Sequence, residues 1–446
     1  MTYAVIRSSC HPVILSSGHL VIRSSCHPVI LSSGHLVRVW KQPEEPLLDR
    51  NKVIGALEGK RGAFQAFHAS QRAQQETLQT WLNNFARYDV STMETVLANR
   101  GLRWPGALPT AELDGADGLC ISFDHEWRDH RESRTWALEI LLNRPVLAVD
   151  GSQITPTKDI APAVAAVQIG WFVNDHTPGS GGYVKDVAFE VLSPEDLGEE
   201  EGDDAAGTFA NQYVNRVRFE RECDKLCELM EQYADAPAAA KPLCFFDGSF
   251  IISFAGTMKP MHSRQYVRAV QKLLDCSTRT QVPLVAFVDR SFSSDIVHLM
   301  TVLEDKPNAL PLSDAALISR CVKKWGDRSP LFICARGDSL TEQNLADFYK
   351  EVVFTYVKLS SDHPPARVEL PRWIWEAGRA DEILDLVRAE CVVGNGYPYA
   401  VETADAVAVI SMQDRQRFYA LYQQFVEREG LDLQQTRKAQ SKLSRR

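Results

Sequence analysis

Between Arg144 and Leu303 the apolar residues fall in short runs, and the spacing between runs changes from turn length to helix length partway along. The first three runs are RPVLAVDGSQ from Arg144, AVAAVQIGWFV at 163–173 and YVKDVAFEVL at 183–192. Apolar runs this short, bounded by turn residues, read as strands. With no helical spacer between them, three in succession predict an antiparallel meander. Downstream the rhythm alters. A helix over 208–234 precedes PLCFFDGSF (242–250), a helix over 263–279 precedes PLVAFVDRS (283–291), and another helix lies near 294–303. Strands separated by helices require crossovers, and hence parallel neighbours. The order β-β-β-α-β-α-β-α confines the chain to a mixed α/β sheet with flanking helices.

That order is the one found in RNase H-like sheets. Around it the chain divides into four parts: 1–40, 41–140, 141–430 and 431–446. The segment 41–140 is predicted to be an N-terminal helical region, with helical character over 51–99, a Gly/Pro connection GLRWPGALP and a further helix over 133–142. Past 330 a C-terminal α/β extension carries LFICAR (331–336), VVFTYVKLS (352–360) and ARVELPRWI (366–374). A helix over 377–390 follows, then GNGYPYAVETADAVAVIS, and a last helix begins at the Ser411/Asp414 capping pattern. Residues 5–20 and 21–36 are identical copies of VIRSSCHPVILSSGHL. Perfect identity points to recent duplication or a start codon placed too early, and 1–40 is read as an unstructured or mis-annotated N-terminal segment outside the fold. Duplication also accounts for both Cys-His pairs, Cys10–His11 and Cys26–His27, which weighs against zinc. Residues 431–446 form a basic tail.

Of the 446 residues, 45% are hydrophobic and 24% charged, ordinary for a globular protein. The apolar run at 163–173 is too short to span a bilayer, and the early apolar residues are broken by Arg, His and Pro. A cytoplasmic protein without a membrane segment is expected. A net charge of −9 excludes a surface coated for nucleic acid, though not one basic channel. The acidic run Glu195–Asp204 reads as a solvated loop. Ten cysteines without a CxxC pair read as buried thiols, Cys223 and Cys227 sharing a helix face.

Asp150 and Asp247 share a context: each follows an apolar strand and precedes Gly-Ser. Each is expected to end its strand, with glycine permitting a sharp turn and close ligand approach. Carboxylates brought together repel, and a divalent cation removes that penalty. Mg²⁺ or Mn²⁺ prefers such oxygen ligands, and two ions roughly 4 Å apart can serve both the attacking and leaving oxygens of a phosphodiester. A third acid is expected from the helix before Asp247. Glu222, four residues after Arg218, is preferred and Glu220 is second. Asp289, closing the next strand, is a fourth candidate. Lys358, Arg367 and Arg372 are candidate phosphate contacts.

The DGS at Asp150, FFDGSF around Asp247, YVKL (356–359), RVELP (367–371) and GYP (396–398) occur in an order that resembles the NurA nucleases over roughly 140–430. The resemblance implies an RNase H-like fold and Mn²⁺ or Mg²⁺ dependence. It implies a homodimer with a central channel. It implies exonuclease and single-strand endonuclease activity on single-stranded DNA and duplex ends, during double-strand break repair with a HerA-type hexameric ATPase. Asp150 and Asp247 match the family's metal-binding aspartates, Glu222 its helix acid, and Tyr397 the tyrosine of its Tyr-Pro motif. Two positions depart. Asp405 stands where the family has a histidine; it can bind metal or accept a proton but cannot donate one as an imidazolium does. Asp289-Arg290 also departs, since a basic residue is expected directly after the strand. The site set is thus Asp150, Glu222, Asp247, Tyr397 and Asp405, with the first three on metal. Two other functions remain open: a non-catalytic DNA-end clamp or helicase scaffold, and an actin- or sugar-kinase-like ATPase, although no Gly-rich adenosine segment lies near the C-terminus.

Overall fold

The computed structural model describes residues 49–157, 160–179, 182–198, 206–305 and 312–431, with two-residue pieces at 7–8, 11–12 and 434–435. The chain divides into two compact units, Met1–Ala73 and Gln74–Arg446. In the first, helix α1 (Arg50–Glu58) is capped by Asp49, whose carboxylate accepts from the Asn51 and Lys52 amides. Helix α2 (Arg61–Phe85) begins in this unit. Arg7–Ser8 pairs with His11–Pro12. The rest of the duplicated leader lies outside the described residues, and so do the basic tail from 436 and positions 199–205 of the acidic run.

The second unit is built on nine strands: β1 (Gly106–Pro109), β2 (Val146–Ile154), β3 (Ala165–Asn174), β4 (Tyr183–Leu192), β5 (Leu243–Asp247), β6 (Leu284–Val288), β7 (Phe332–Ala335), β8 (Val352–Val357) and β9 (Ala366–Pro371). Their order across the sheet is β1-β7-β8-β9-β6-β5-β2-β3-β4. The meander β2-β3-β4 is antiparallel. Strands β2, β5 and β6 are mutually parallel neighbours, and β9 returns antiparallel to β6. This is the mixed, RNase H-like α/β sheet that the run spacing predicts.

The stretch 41–140 is not wholly helical. It holds α1, α2, α3 (Val90–Arg100) and α4 (His130–Leu141), but the GLRWPGALP connection supplies β1, an edge strand of the sheet. Its four residues are too few to show a period-2 pattern.

Strand alternation assigns the two faces of the sheet. Leu147, Val149, Cys244 and Phe246 join one buried cluster, covered by α5 (Ala206–Gln232), α6 (Pro260–Thr280) and α7 (Asp295–Leu303). Val146, Ala148, Leu243 and Phe245 join the other, covered by α4, α8 (Ala380–Val393) and α9 (Tyr399–Ala408). A final helix, α10 (Met412–Arg428), starts at the Ser411/Asp414 capping box. Among the described residues no helix is long and apolar enough to cross a membrane. Cys223 and Cys227 are buried free thiols.

Candidate active site

The strand end expected at Asp150 lies further on, at Ile154. Asp150 does not end its strand: β2 continues through Asp150-Gly151-Ser152 to Ile154. The reason is a split in the pairing. The parallel ladder between β2 and β5 stops at Val149↔Phe246, because β5 turns away after Asp247. The antiparallel ladder between β2 and β3 runs on to Ile154↔Ala166 and holds β2 extended. A cleft opens where the two strands part, and Asp150 and Asp247 stand on its lips.

The register places both aspartates together. With Val146 opposite Leu243 and Val149 opposite Phe246, the next step sets Asp150 beside Asp247. Side chains alternate along a strand, so both carboxylates share the face of Ala148 and Phe245. Asp247 is accessible along one side, while Asp150 is half-buried.

Glu222 arrives from the opposite face. It sits on α5, only 6% exposed, where Arg218 Nη1 donates to its Oε1 at 2.6 Å and to the Gly151 carbonyl at 3.0 Å. Gly151 makes the approach possible: a Cβ there would lie 2.5 Å from Glu222 Oε1 and 2.9 Å from Arg218 Cγ. Glycine thus serves in this motif as a gap in the strand and not as a turn. Glu220 takes another course, accepting from Arg216 Nη1 at 2.9 Å, which separates the two acids that the sequence leaves as alternatives.

Two further residues come from the segment after α8. The Tyr397 hydroxyl donates to Asp247 Oδ1 at 3.1 Å. Asp405, on α9, bears electrostatically on both Asp150 and Asp247. α9 reaches this position by lying flat on β3, where a Cβ at Gly170 would be 2.6 Å from the Ala408 amide nitrogen. The Ala408 carbonyl accepts from Ser152 Oγ and Gln168 Nε2, which fixes that helix end beside Asp150. Neither Gly170 nor this helix stands out in the amino-acid sequence. Asp289 is exposed just past β6 and adds negative charge near Tyr397.

The electrostatics are those of crowded acids. Burial pushes the Asp150 carboxyl up to about 6, with Asp247 and Asp405 adding to the rise. Burial raises Glu222 to about 8; Asp150 and Asp247 push the same way, and Arg218 opposes. Asp247 is also raised by burial and Asp405, against the hydrogen bond from Tyr397. Burial, then Asp247, raise the Tyr397 hydroxyl. Among the described residues no three acidic, His or Cys side chains close around one point. The donor set nonetheless fits a divalent cation: hard carboxylate oxygens, mutually repelling, half-withdrawn from water and open on one side. Three proposed phosphate contacts are otherwise engaged. Arg367 is 1% exposed within an ion network, Arg372 bonds Glu376, and Lys358 Nζ donates to the His363 carbonyl.

No curated protein matches the chain. Among solved structures, a crystal structure of NurA with manganese aligns at 9% identity with a TM-score of 0.36, over 79% of this chain and 97% of that one. A second crystal structure of NurA aligns at 11% identity and 0.35, over 60% and 85%. Aquifex aeolicus Argonaute aligns at 12% identity and 0.24, over 60% and 29%. The sequence profile of the NurA domain matches residues 144–410, which is more than half of the chain and holds all five site residues. The chain therefore belongs to the NurA family of nucleases.

Proposed function

We propose that the chain is a metal-dependent deoxyribonuclease, with exonuclease activity and single-strand endonuclease activity on DNA. In this reading it trims double-strand break ends as a homodimer, with a HerA-type hexameric ATPase feeding it DNA. The observation that carries the reading is the register that brings Asp150 and Asp247 to neighbouring positions where β2 and β5 split, with Glu222 held against Gly151 from the other face and all three acids acting on one another electrostatically.

Asp150, Asp247 and Glu222 would hold Mn²⁺ or Mg²⁺, which when bound offsets their repulsion and activates water for attack on phosphorus. The chain's own residues do the rest. The Tyr397 hydroxyl, by donating to Oδ1, fixes how the Asp247 carboxylate is turned. Arg218 holds Glu222 against the strand and binds the Gly151 carbonyl, so the acid cannot swing away. Asp405 offers a further carboxylate beside Asp150 and Asp247. Burial of Glu222 keeps bulk water off one wall of the cleft.

The test is cleavage of labelled single strands and blunt duplexes by the purified chain with Mn²⁺. Asp150→Asn and Asp247→Asn should each lower the rate at least about 100-fold, more than is typical for loss of an outer-sphere partner. Wild-type rates in both variants would defeat the assignment. DNA binding without cleavage in the wild type would favour a non-catalytic clamp, and ATP hydrolysis by the chain alone an ATPase.

A further inference from the structure

The FFDGSF motif does not hold itself in place. Gly248 has φ of +131°, a conformation that side-chain-bearing residues rarely adopt, and its amide donates to the Phe287 carbonyl on β6 at 3.2 Å. The next two residues are gripped from β9. Glu369 accepts from Ser249 Oγ at 2.9 Å and, through Oε2, from the Phe250 amide at 2.7 Å. Its Oε1 also accepts from Arg367 Nε at 2.7 Å. Glu369 is 0% exposed.

This carboxylate is one end of a buried charged chain. Arg367 lies over the Phe354 ring at 3.8 Å and donates to Asp295 Oδ2 at 2.8 Å. Asp295 in turn is held by Arg336 through both oxygens. Arg336 also donates to Ser253 Oγ and Ser293 Oγ, which lie on the loops leaving β5 and β6. Buried ion pairs of this kind add little net stability over an apolar core of the same shape. Their effect here is geometric: a third branch runs from Arg367 Nη1 to the Tyr356 hydroxyl on β8, but the two ends at Glu369 and Arg336 land on the segments that leave β5 and β6.

We propose that Glu369 is a positioning residue for the cleft: by clamping Ser249 and the Phe250 amide, it sets the backbone from which Asp247 projects, and so the affinity of the carboxylate cluster for a divalent cation. The proposal rests on the metal-dependent reading above. In this role Glu369 acts through the Gly248–Phe250 turn.

The experiment measures Mn²⁺ binding to the full chain by calorimetry, alongside cleavage at varied Mn²⁺, single-strand binding in EDTA, and melting temperature. In Glu369→Gln one oxygen becomes an NH₂ group, which must oppose a donor: Arg367 Nε or the Phe250 amide. Mn²⁺ affinity should fall by about 10-fold, with cleavage depressed at low Mn²⁺ and recovering as Mn²⁺ saturates, and single-strand affinity in EDTA should not change. Ser249→Ala, which removes one hydroxyl and keeps the carboxylate, should shift Mn²⁺ affinity the same way but less, and the two changes should not add. Glu112→Gln removes a charge from a different buried partner, Arg328, and should lower the melting temperature without moving Mn²⁺ affinity. Unchanged Mn²⁺ affinity in both Ser249→Ala and Glu369→Gln, with melting lowered as in Glu112→Gln, overturns the proposal. If Glu369→Gln does not fold, Ser249→Ala alone decides. A wild type that neither binds Mn²⁺ nor cuts DNA overturns the nuclease reading first, and this proposal with it.

Discussion

Asp150 and Glu222 hold protons in the folded chain that they would release in the unfolded one, because burial and neighbouring acids raise them to about 6 and about 8 from 3.8 and 4.5. Between those values the folded state binds more protons than the unfolded state. Raising pH through that window should therefore weaken the contribution of these two groups to the metal-free fold, a contribution that is fully present only below their unfolded values. In Asp150→Asn the pH-dependent loss should shrink, and the metal-free melting temperature near pH 7 should rise while cleavage is lost. A flat difference between variant and wild type from pH 4 to 8 would contradict the crowding described at the cleft. Mn²⁺ should raise the wild-type melting temperature more than that of the variant. At Gly151 the constraint is space. Gly151→Ala should displace Glu222 and Arg218, costing about 1–3 kcal/mol of stability, as overpacking does, together with most of the cleavage rate. Denaturant melts and single-turnover assays would read both.

At the level of elements, what the sequence displays and what it hides follow from period and context. The Asp-Gly-Ser repeats are visible because apolar runs lead into them, yet the same words describe a strand interior at Asp150 and a strand end at Asp247. Only the ladder partners distinguish the two, and pairing is not written locally. Glu222 and Glu220 differ by two positions on one helix, so phase against the sheet decides between them. Helix α9 is obscured because its Ala- and Val-rich residues fit helix and strand patterns alike. Its seat, Gly170, looks like an unremarked glycine inside a strand. Glu369 and Arg367 occupy inward positions of β9, where alternating charge normally signals a solvated face; both are buried in a network that also takes in Ser249 and Asp295. Gly170→Ala should push α9 off β3, lowering stability by about 1–3 kcal/mol and reducing cleavage through the displacement of Asp405. A thermal melt unchanged from wild type would show that α9 does not depend on that contact.

For the molecule as a whole, the sheet has two unequal edges. At one, β1 is four residues long. At the other, β4 is ten residues long, with Tyr183, Val184, Val187, Phe189 and Val191 between 43% and 63% exposed. A long exposed edge invites another strand, and in the proposed homodimer it would seat the second copy. Val187→Lys should convert a dimer to a monomer by light scattering; an unaltered mass would place the interface elsewhere. The in-register pairing of β2 with β5 has a consequence for how such a chain tolerates change. One residue inserted within either strand, upstream of its aspartate, would swing that carboxylate to the far side of the sheet while leaving most of the core able to pack. A two-residue insertion would restore the side but separate the pair by about 6–7 Å along the strand axis. Hydrolytic competence is therefore far more sensitive to the counting of residues between Pro145 and Asp150, and between Pro242 and Asp247, than to their identity.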